Sequence, residues 1–444
     1  MEIFKKYRWI LLLILISLIL RLAIYLNIMN KVPYFDYLIF KEWAYKSYSV
    51  GLNHVYFVHS PFNINDVDQP PGTIYILRGT YEVFLLTARA LTRIMHLEVG
   101  STLWINDNLL VFFFRLPSMI ADLILGFCIY LMVKTKASEK IALLSSSFFL
   151  LGPPIIYNST VWGQIDSINN LFFYLSLMFM FKKKAFLSVF CFALSLFIKL
   201  SFLPVIPIYL LLAIRGGFFK LKSFILSSLI TSVIILILCL PFSSNPFWIF
   251  EIIQKSAYGM NQNITANAFN LWWLIFYSLP TSVPVSINSM FGGLSLGAWA
   301  YLIFAVFYLP LFFSLMKIIK KGRNIESVFF ITALALFVSF LFLPKMHERY
   351  LYPVLPLLIT WVGFKNKWWI MTFLLSFVHF LNLYIVWNPS LILFREIEEA
   401  VLSKNTKWIL SLITVIIFGF YYLKIFTNYK FFKKPLKIGS FSLA

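Results

Sequence analysis

The sequence predicts an all-α integral membrane protein, a polytopic bundle of about twelve transmembrane helices forming one domain over residues 1–444. Three observations carry that prediction. First, 61% of the residues are hydrophobic and only 12% charged, against about 25% charged in an ordinary soluble domain. Second, apolar runs of about 17–20 residues, long enough to cross the hydrocarbon core of a bilayer, recur from end to end. Third, Lys and Arg cluster in alternate segments between those runs. A backbone in hydrocarbon must satisfy its own hydrogen bonds, so only helices or a closed barrel qualify. A barrel requires period-two alternation in short segments, which the sequence lacks.

The expected spans are about 9–28, 109–133, 140–157, 167–181, 185–199, 200–214, 223–240, 296–316, 325–343, 353–364, 368–386 and 408–424. The first follows a basic start and lacks a small-residue cleavage site, so it reads as a retained helix. The pair 185–199 and 200–214 is short and interrupted by Pro204 and Pro207. It is inferred from charge, because Lys182 to Lys184 and Arg215 flank it on one side.

A net charge of +21 raises nucleic-acid binding, but the placement of the charges argues against it. The basic clusters lie at Lys5-Lys6-Arg8, Lys134-Lys136-Lys140, Lys182 to Lys184, Arg215-Lys220-Lys222, Lys317 to Arg323, Lys365-Lys367 and Lys424 to Lys437. The loops between hold nearly all the acids. This positive-inside pattern puts both termini, including a basic tail at 425–444, in the cytoplasm. The natural location is then a membrane, with membrane lipid and not nucleic acid as the surrounding partner. Cys128, Cys191 and Cys239 all sit in apolar runs, which excludes a disulfide framework.

Two outer loops are long, at 28–108 and 241–295. The first carries two amphipathic stretches, Tyr37 to Val50 and Gly72 to Met95. The second carries Pro246-Phe247-Trp248 and Trp272-Trp273. Aromatic rows with few charges suit helices lying in the interface plane.

An ionisable group near lipid is costly and tends to be functional. Asp36 follows the first span; on spacing alone it is a helix N-cap, and with its aromatic neighbours it is also a candidate general base. Asp68-Gln69-Pro70-Pro71-Gly72 reads as a capped helix start or as an anchored turn over a site. Trp162-Gly163-Gln164-Ile165-Asp166-Ser167 makes a short outer reversal, with Trp162 an interface residue and Asp166 a cap for the next span. Arg115 and Asp122 lie inside one apolar run. Lys199 sits on the outer side, against the charge trend, and a phosphate partner explains it. Lys345-Met346-His347-Glu348-Arg349-Tyr350 clusters basic groups on that same side, which suits an anion near the outer leaflet. A metal site has little support: His54, His59 and His96 lack ligand spacing, and the Asp66/Asp68 pair reads first as punctuation. No glycine-rich phosphate loop or nucleophile motif occurs. Asn158-Ser159-Thr160 and Asn263-Ile264-Thr265 match the glycosylation acceptor pattern weakly.

In order, Asp36, Asp68-Gln69-Pro70-Pro71, Arg115-Leu116-Pro117 with Asp122, Trp162 to Ser167, Lys199, Asn267-Ala268-Phe269-Asn270-Leu271-Trp272 and Lys345 to Pro353 resemble the GT-C superfamily of lipid-phosphate-sugar glycosyltransferases. The run is most similar to the prokaryotic relatives of the second mannosyltransferase of GPI-anchor synthesis, and covers about residues 30–355. It departs from the commoner D-Y-P-P at Gln69. The resemblance implies a GT-C bundle and an inverting hexosyltransferase that moves mannose or glucose. The donor is a polyprenyl- or dolichyl-phosphate sugar, and the acceptor a lipid- or protein-linked glycan or glycolipid on the extracytoplasmic face. It implies no cofactor and no metal requirement. It makes Asp36 the base. It places Asp68, Gln69, Arg115, Gln164, Asp166, Lys199, Asn267, Asn270, Lys345, His347, Glu348, Arg349 and Tyr350 in substrate binding, with His347 and Arg349 on the donor phosphate. The competing expectation is a transporter or flippase of lipid-linked sugars, which needs a polar path open to both sides.

Overall fold

The computed structural model describes residues 2–29, 35–59, 66–94, 102–258, 262–276, 285–321, 324–386, 399 and 403–427. His96 and the tail beyond 427 lie outside them. Among the described residues, helices joined by turns and loops make up the fold, with two two-stranded pairings.

Every expected span is occupied by helix. α1 is Glu2–Ile28, α2 Phe35–Ser49, α3 Pro71–Ile94 and α4 Thr102–Lys134. α5, Glu139–Leu150, bends by 45° into α6, Pro153–Ile156, which runs on as a π-helix over Tyr157–Trp162. The bend falls where Pro153 and Pro154 withdraw their N–H groups from the ladder. Next come α7 (Asp166–Phe181), α8 (Ala185–Ile198), a 3-10 turn (Leu200–Val205) and α9 (Ile206–Arg215). α10 is Leu221–Cys239, α11 Ile249–Tyr258, α12 Leu271–Phe276 and α13 Leu296–Lys321. α14 is Ile325–Phe342, α15 Val354–Lys365, α16 Trp369–Val386 and α17 Lys404–Thr427.

Seven of these helices are long and apolar enough to cross a membrane, or eight when the bent pair counts as one. The protein is therefore a polytopic helical membrane protein, with fewer clear crossings than the apolar runs suggested. The difference has a physical basis. α7, α8, α9 and α15 fall short of full span length. α15 is buried from Val354 to Gly363 and packs on α14, which is buried from Ser327 to Phe342. A helix surrounded by protein is not obliged to match hydrocarbon thickness. The outer ring has the opposite character: Ile19 of α1, Val233 of α10 and Val306 of α13 are each more than half exposed, as lipid-facing residues are.

α4 is the hub, packing against α1, α3, α5, α7 and α15. The up-and-down course gives the bundle two chemically distinct ends. At one, Lys134 pairs with Glu139 at 3.3 Å, Lys365 pairs with Glu326, and Phe181 meets Phe218 at 5.5 Å. At the other, Lys199 meets Asp166 and Arg349 meets Asp36.

The loop expectations hold only in part. α2 does not segregate its faces: it buries Glu42 and Lys46 and exposes Leu38, Tyr45 and Tyr48. Trp272 is no interface anchor. It is buried, and its indole N–H donates to Phe342 O at 3.0 Å, satisfying an orphan carbonyl at the end of α14.

Sidedness is open to labelling. In a background with its three cysteines replaced by alanine, Tyr45→Cys reacts with an impermeant maleimide in right-side-out vesicles, and Lys220→Cys reacts only after permeabilisation. The reverse pattern inverts the orientation drawn from the basic clusters.

Candidate active site

Five chain segments converge at the second end of the bundle. The first turn of α2 brings Asp36. The π-helix and the start of α7 bring Trp162, Gln164 and Asp166. Gly163 makes this reversal with φ +83°, and a Cβ there would meet the Arg115 side chain at 3.0 Å. Glycine alone satisfies both demands.

The end of α8 brings Lys199 in extended backbone. The Asp68-to-Thr73 turn docks on the same end, with Thr73 Oγ1 donating to Ile198 O at 2.7 Å. A Cβ on Gly72 would meet Phe197 O at 2.6 Å, so the approach needs glycine. Lastly, Lys345 to Tyr352 is strapped down by a parallel pairing of Thr265–Ala266 with Met346–His347 and by Lys345 N–H donating to Ile264 O at 2.9 Å.

Asp36 does not spend its carboxylate as a cap. Trp162 Nε1 donates to Asp36 Oδ2 at 2.9 Å and Gln164 Nε2 donates to the same oxygen at 2.5 Å. Arg349 Nη1 lies 3.6 Å from it. All of these contacts fall on Oδ2; no hydrogen bond from a described residue reaches Oδ1. The side chain is 27% exposed, so one oxygen anchors the group and the other has no hydrogen-bond partner among the described residues.

Asp166 is no cap either. Ile165 is the N-cap residue of α7, while Asp166 Oδ1 accepts from Lys199 Nζ at 2.5 Å and Oδ2 lies 4.0 Å from Arg349 Nε. Lys199 thus has a carboxylate partner within the protein. Both aspartates occupy first turns, where the helix dipole favours an anion.

Arg349 is the centre of the cluster. Its Nη1 donates to Glu348 Oε1 at 3.2 Å, and its guanidinium lies over the Trp162 and Tyr350 rings at 5.7 and 6.0 Å. Burial opposes its charge, but Asp36 and Glu348 outweigh burial and raise its pKa. Glu348 is buried, and burial pushes its carboxyl up to about 6 against the pull of Arg349. His347 is pushed down to about 3 by the surrounding protein and by Arg349 and Lys199. A third of its side chain still reaches solvent, so it is a neutral hydrogen-bonding ring near neutral pH. Lys199 sits over the Tyr350 ring at 5.4 Å. Asp68 is raised by burial, with Gln69 and Arg349 opposing. The cluster is therefore a balanced set of acids and bases, where the sequence suggested a basic patch.

The remaining expected residues lie at its edges. Gln69 O accepts from Tyr56 at 2.8 Å. Arg115 is buried beneath the reversal, its Nη2 donating to Val161 O at 2.7 Å. Asn267, at φ +61°, belongs to the strap, and Asn382 donates to its carbonyl at 2.8 Å. Asn270 is buried; it caps Trp273 N–H at 3.1 Å and donates to Phe340 O at 3.2 Å. Lys345 takes φ +62° beside the strap.

Three participants were not assigned to the site from the sequence. Trp162 binds Asp36, where an interface belt was expected. Arg21, fully buried in α1, lies 3.4 Å from Asp122; an arginine inside an apolar run was the available signal. Tyr352 donates to Asp122 Oδ1 at 2.5 Å. Asp66 is engaged by His59 at 2.9 Å, apart from the partners of Asp68, and among the described residues no group of three or more His, Cys, Asp or Glu is arranged to hold a metal. Of the two glycosylation sequons, Asn158 is fully buried, while Asn263 is half-buried with its backbone bridged to Ser286.

A comparison with protein-family models and with curated proteins gives no match.

Glu348 supplies a test of this electrostatic arrangement. A carboxyl whose folded pKa exceeds its unfolded value stabilises the fold at low pH, below about 4.5, and loses that contribution as pH rises through about 6. At pH 7 the buried charge costs about 2 kcal/mol. Melting temperature in detergent should therefore fall from pH 5 to pH 7 in the wild type and change less in Glu348→Gln. Parallel pH curves for the two proteins refute the assignment.

Proposed function

We propose that this chain is an inverting glycosyltransferase of the GT-C kind, moving a hexose from a polyprenyl-phosphate donor to a lipid- or protein-linked acceptor at the extracytoplasmic end of the bundle. The observation that carries the reading is the Asp36 carboxylate, anchored through Oδ2 by Trp162 and Gln164 with no described residue bonded to Oδ1, beside the Arg349 guanidinium. A general base needs a fixed geometry and a free lone pair. A departing phosphate needs a preorganised cation. Here the two lie within one ion-pair distance.

In this reaction Asp36 Oδ1 takes the proton of the acceptor hydroxyl. The hydroxyl oxygen bonds to the anomeric carbon as the bond from that carbon to the phosphate oxygen breaks. The electron pair leaves with the lipid phosphate, whose growing charge meets Arg349. A single displacement inverts the sugar carbon. Phosphate leaves without protonation, so no second carboxylic acid is needed as in glycoside hydrolysis. His347, neutral, donates a hydrogen bond and adds no charge. The motifs that resemble the superfamily and the residues of this cluster largely coincide, which supports the same reading. The placement at a multi-pass plasma membrane, both termini cytoplasmic, follows from the basic clusters at the opposite end.

Asp36→Asn should lower transfer by about 10²–10⁴-fold with donor binding no weaker than in the wild type, measured with purified protein against a panel of polyprenyl-phosphate hexoses. Wild-type turnover in that variant removes Asp36 as the base. Arg349→Ala should weaken binding of the donor lipid by about tenfold or more; unchanged affinity in a lipid-binding titration takes the phosphate away from Arg349.

A further inference from the structure

Three residues on one face of α4 hold the site from below. Arg115, Ser118 and Asp122 stand three and four positions apart, so they share a helix face, and all three are buried. Arg115 Nη2 donates to Val161 O at 2.7 Å and Ser118 Oγ donates to Gln164 O at 2.7 Å. Those carbonyls bracket the residues that bind Asp36: Val161 precedes Trp162, and Gln164 is itself a donor. Asp122 Oδ1 accepts from the Tyr352 hydroxyl at 2.5 Å, and the same hydroxyl lies 3.3 Å from Ser167 Oγ. Tyr352 is three residues from Arg349, and Ser167 follows Asp166. Asp122 Oδ2 faces Arg21 at 3.4 Å. Arg21 is held in turn by Ser17 and by Leu150 O at 2.9 Å. The segments that supply Trp162, Gln164, Asp166 and Arg349 are thus tied, within a few residues, to a single face of α4.

We propose that Arg115, Ser118 and Asp122 are positioning residues, a rack that sets the separation of Asp36 from Arg349 without touching substrate. This reassigns Arg115, whose guanidinium lies on backbone carbonyl and on the Tyr25 ring at 5.4 Å, from substrate binding to scaffold. The α4 face fixes the reversal at 161–166 through two carbonyls, and fixes the 349–352 turn through Tyr352. Loosening either tie lets the base and the cation drift while the bundle stays intact. The effect on turnover rests on the glycosyl-transfer reading; the effect on backbone order does not.

The test compares Tyr352→Phe and Ser118→Ala with Tyr421→Phe. The Tyr421 hydroxyl makes a similar buried bond, to Thr372 Oγ1 at 2.8 Å, between α17 and α16. It is a control for the loss of any buried hydroxyl bond. Hydrogen exchange of the full-length protein in nanodiscs is followed by peptide mass. Ser118→Ala should exchange about tenfold faster in residues 158–168 and Tyr352→Phe in residues 345–352, and Tyr421→Phe in neither. With a polyprenyl-phosphate hexose donor, the rack variants should lose about tenfold in kcat with donor KM within about twofold, and the control should keep wild-type kinetics. Equal exchange in rack and control variants, loss of protection spread evenly over the bundle, or a rise in KM at unchanged kcat overturns the proposal. Ser118→Ala keeps the test alive should Tyr352→Phe fail to fold. A wild type that turns over no donor defeats the glycosyl-transfer reading, and the exchange contrast still decides the rack.

Discussion

A charge taken into an apolar bundle must meet its counter-charge there, because breaking a buried pair costs about 3–5 kcal/mol. In this protein that requirement organises the whole functional end. Lys199 closes α8, Asp166 opens α7, Arg349 follows α14 and Asp36 opens α2; they contact one another in that order, Lys199 to Asp166, Asp166 to Arg349, Arg349 to Asp36. Each ion has its partner on a different element, so satisfying the charges also fixes the helix ends relative to one another. Arg21 and Asp122 repeat the device deeper in the bundle, at zero exposure. The geometry of the site is in this sense an electrostatic consequence of the fold, and does not depend on loop shape alone.

Backbone constraints complete what the charges begin. The segment from Lys345 to Tyr352 has no long helix or sheet of its own, yet it must present Arg349 at a defined distance. It gains order from the paired strand at Thr265–Ala266, from a left-handed residue on each side of the pairing, Asn267 and Lys345, and from Asn382 reaching across from α16. Asn382 also accepts from Phe269 N–H at 3.0 Å, so one buried amide holds two points of the strap. Asn270 does similar work at the start of α12. These asparagines offer donor and acceptor in one short side chain, which suits them to tie irregular backbone inside an apolar environment where water cannot.

The positions of the helices were legible because lipid imposes composition directly on sequence: hydrocarbon selects an apolar run, and the headgroups and water on either side select the charged segments that bound it. Span length was less legible, since α15 and α7 are shielded by neighbouring helices and escape the demand that lipid makes. At the site, the residue types were readable and the partnerships were not. Asp36 and Asp166 sit where helices begin, so each looked like a cap, but the carboxylates turn toward Trp162, Gln164 and Lys199. Lys199 looked like a cation in want of a phosphate because Asp166 lies 33 residues away, and Trp162 looked like an interface residue because Asp36 lies 126 residues away. Helical and strand periodicities relate residues a few positions apart, and neither reports a contact closed by packing over such separations.

The 3.6 Å contact between Arg349 and Asp36 also joins the two halves of the proposed chemistry. At rest the guanidinium is shared among Asp36, Glu348 and Asp166, so it is not an unsatisfied cation that binds any anion strongly. A phosphate has to draw it away from these carboxylates, and does so more as negative charge accumulates on the departing oxygen. Interaction that grows along the reaction coordinate favours the transition state over the bound donor. The same shift takes the cation away from Asp36, the proposed base. Bond breaking at the phosphate and proton removal at the acceptor are then coupled through one ion pair, which is why the separation of these two side chains carries more weight than the exposure or charge of either alone.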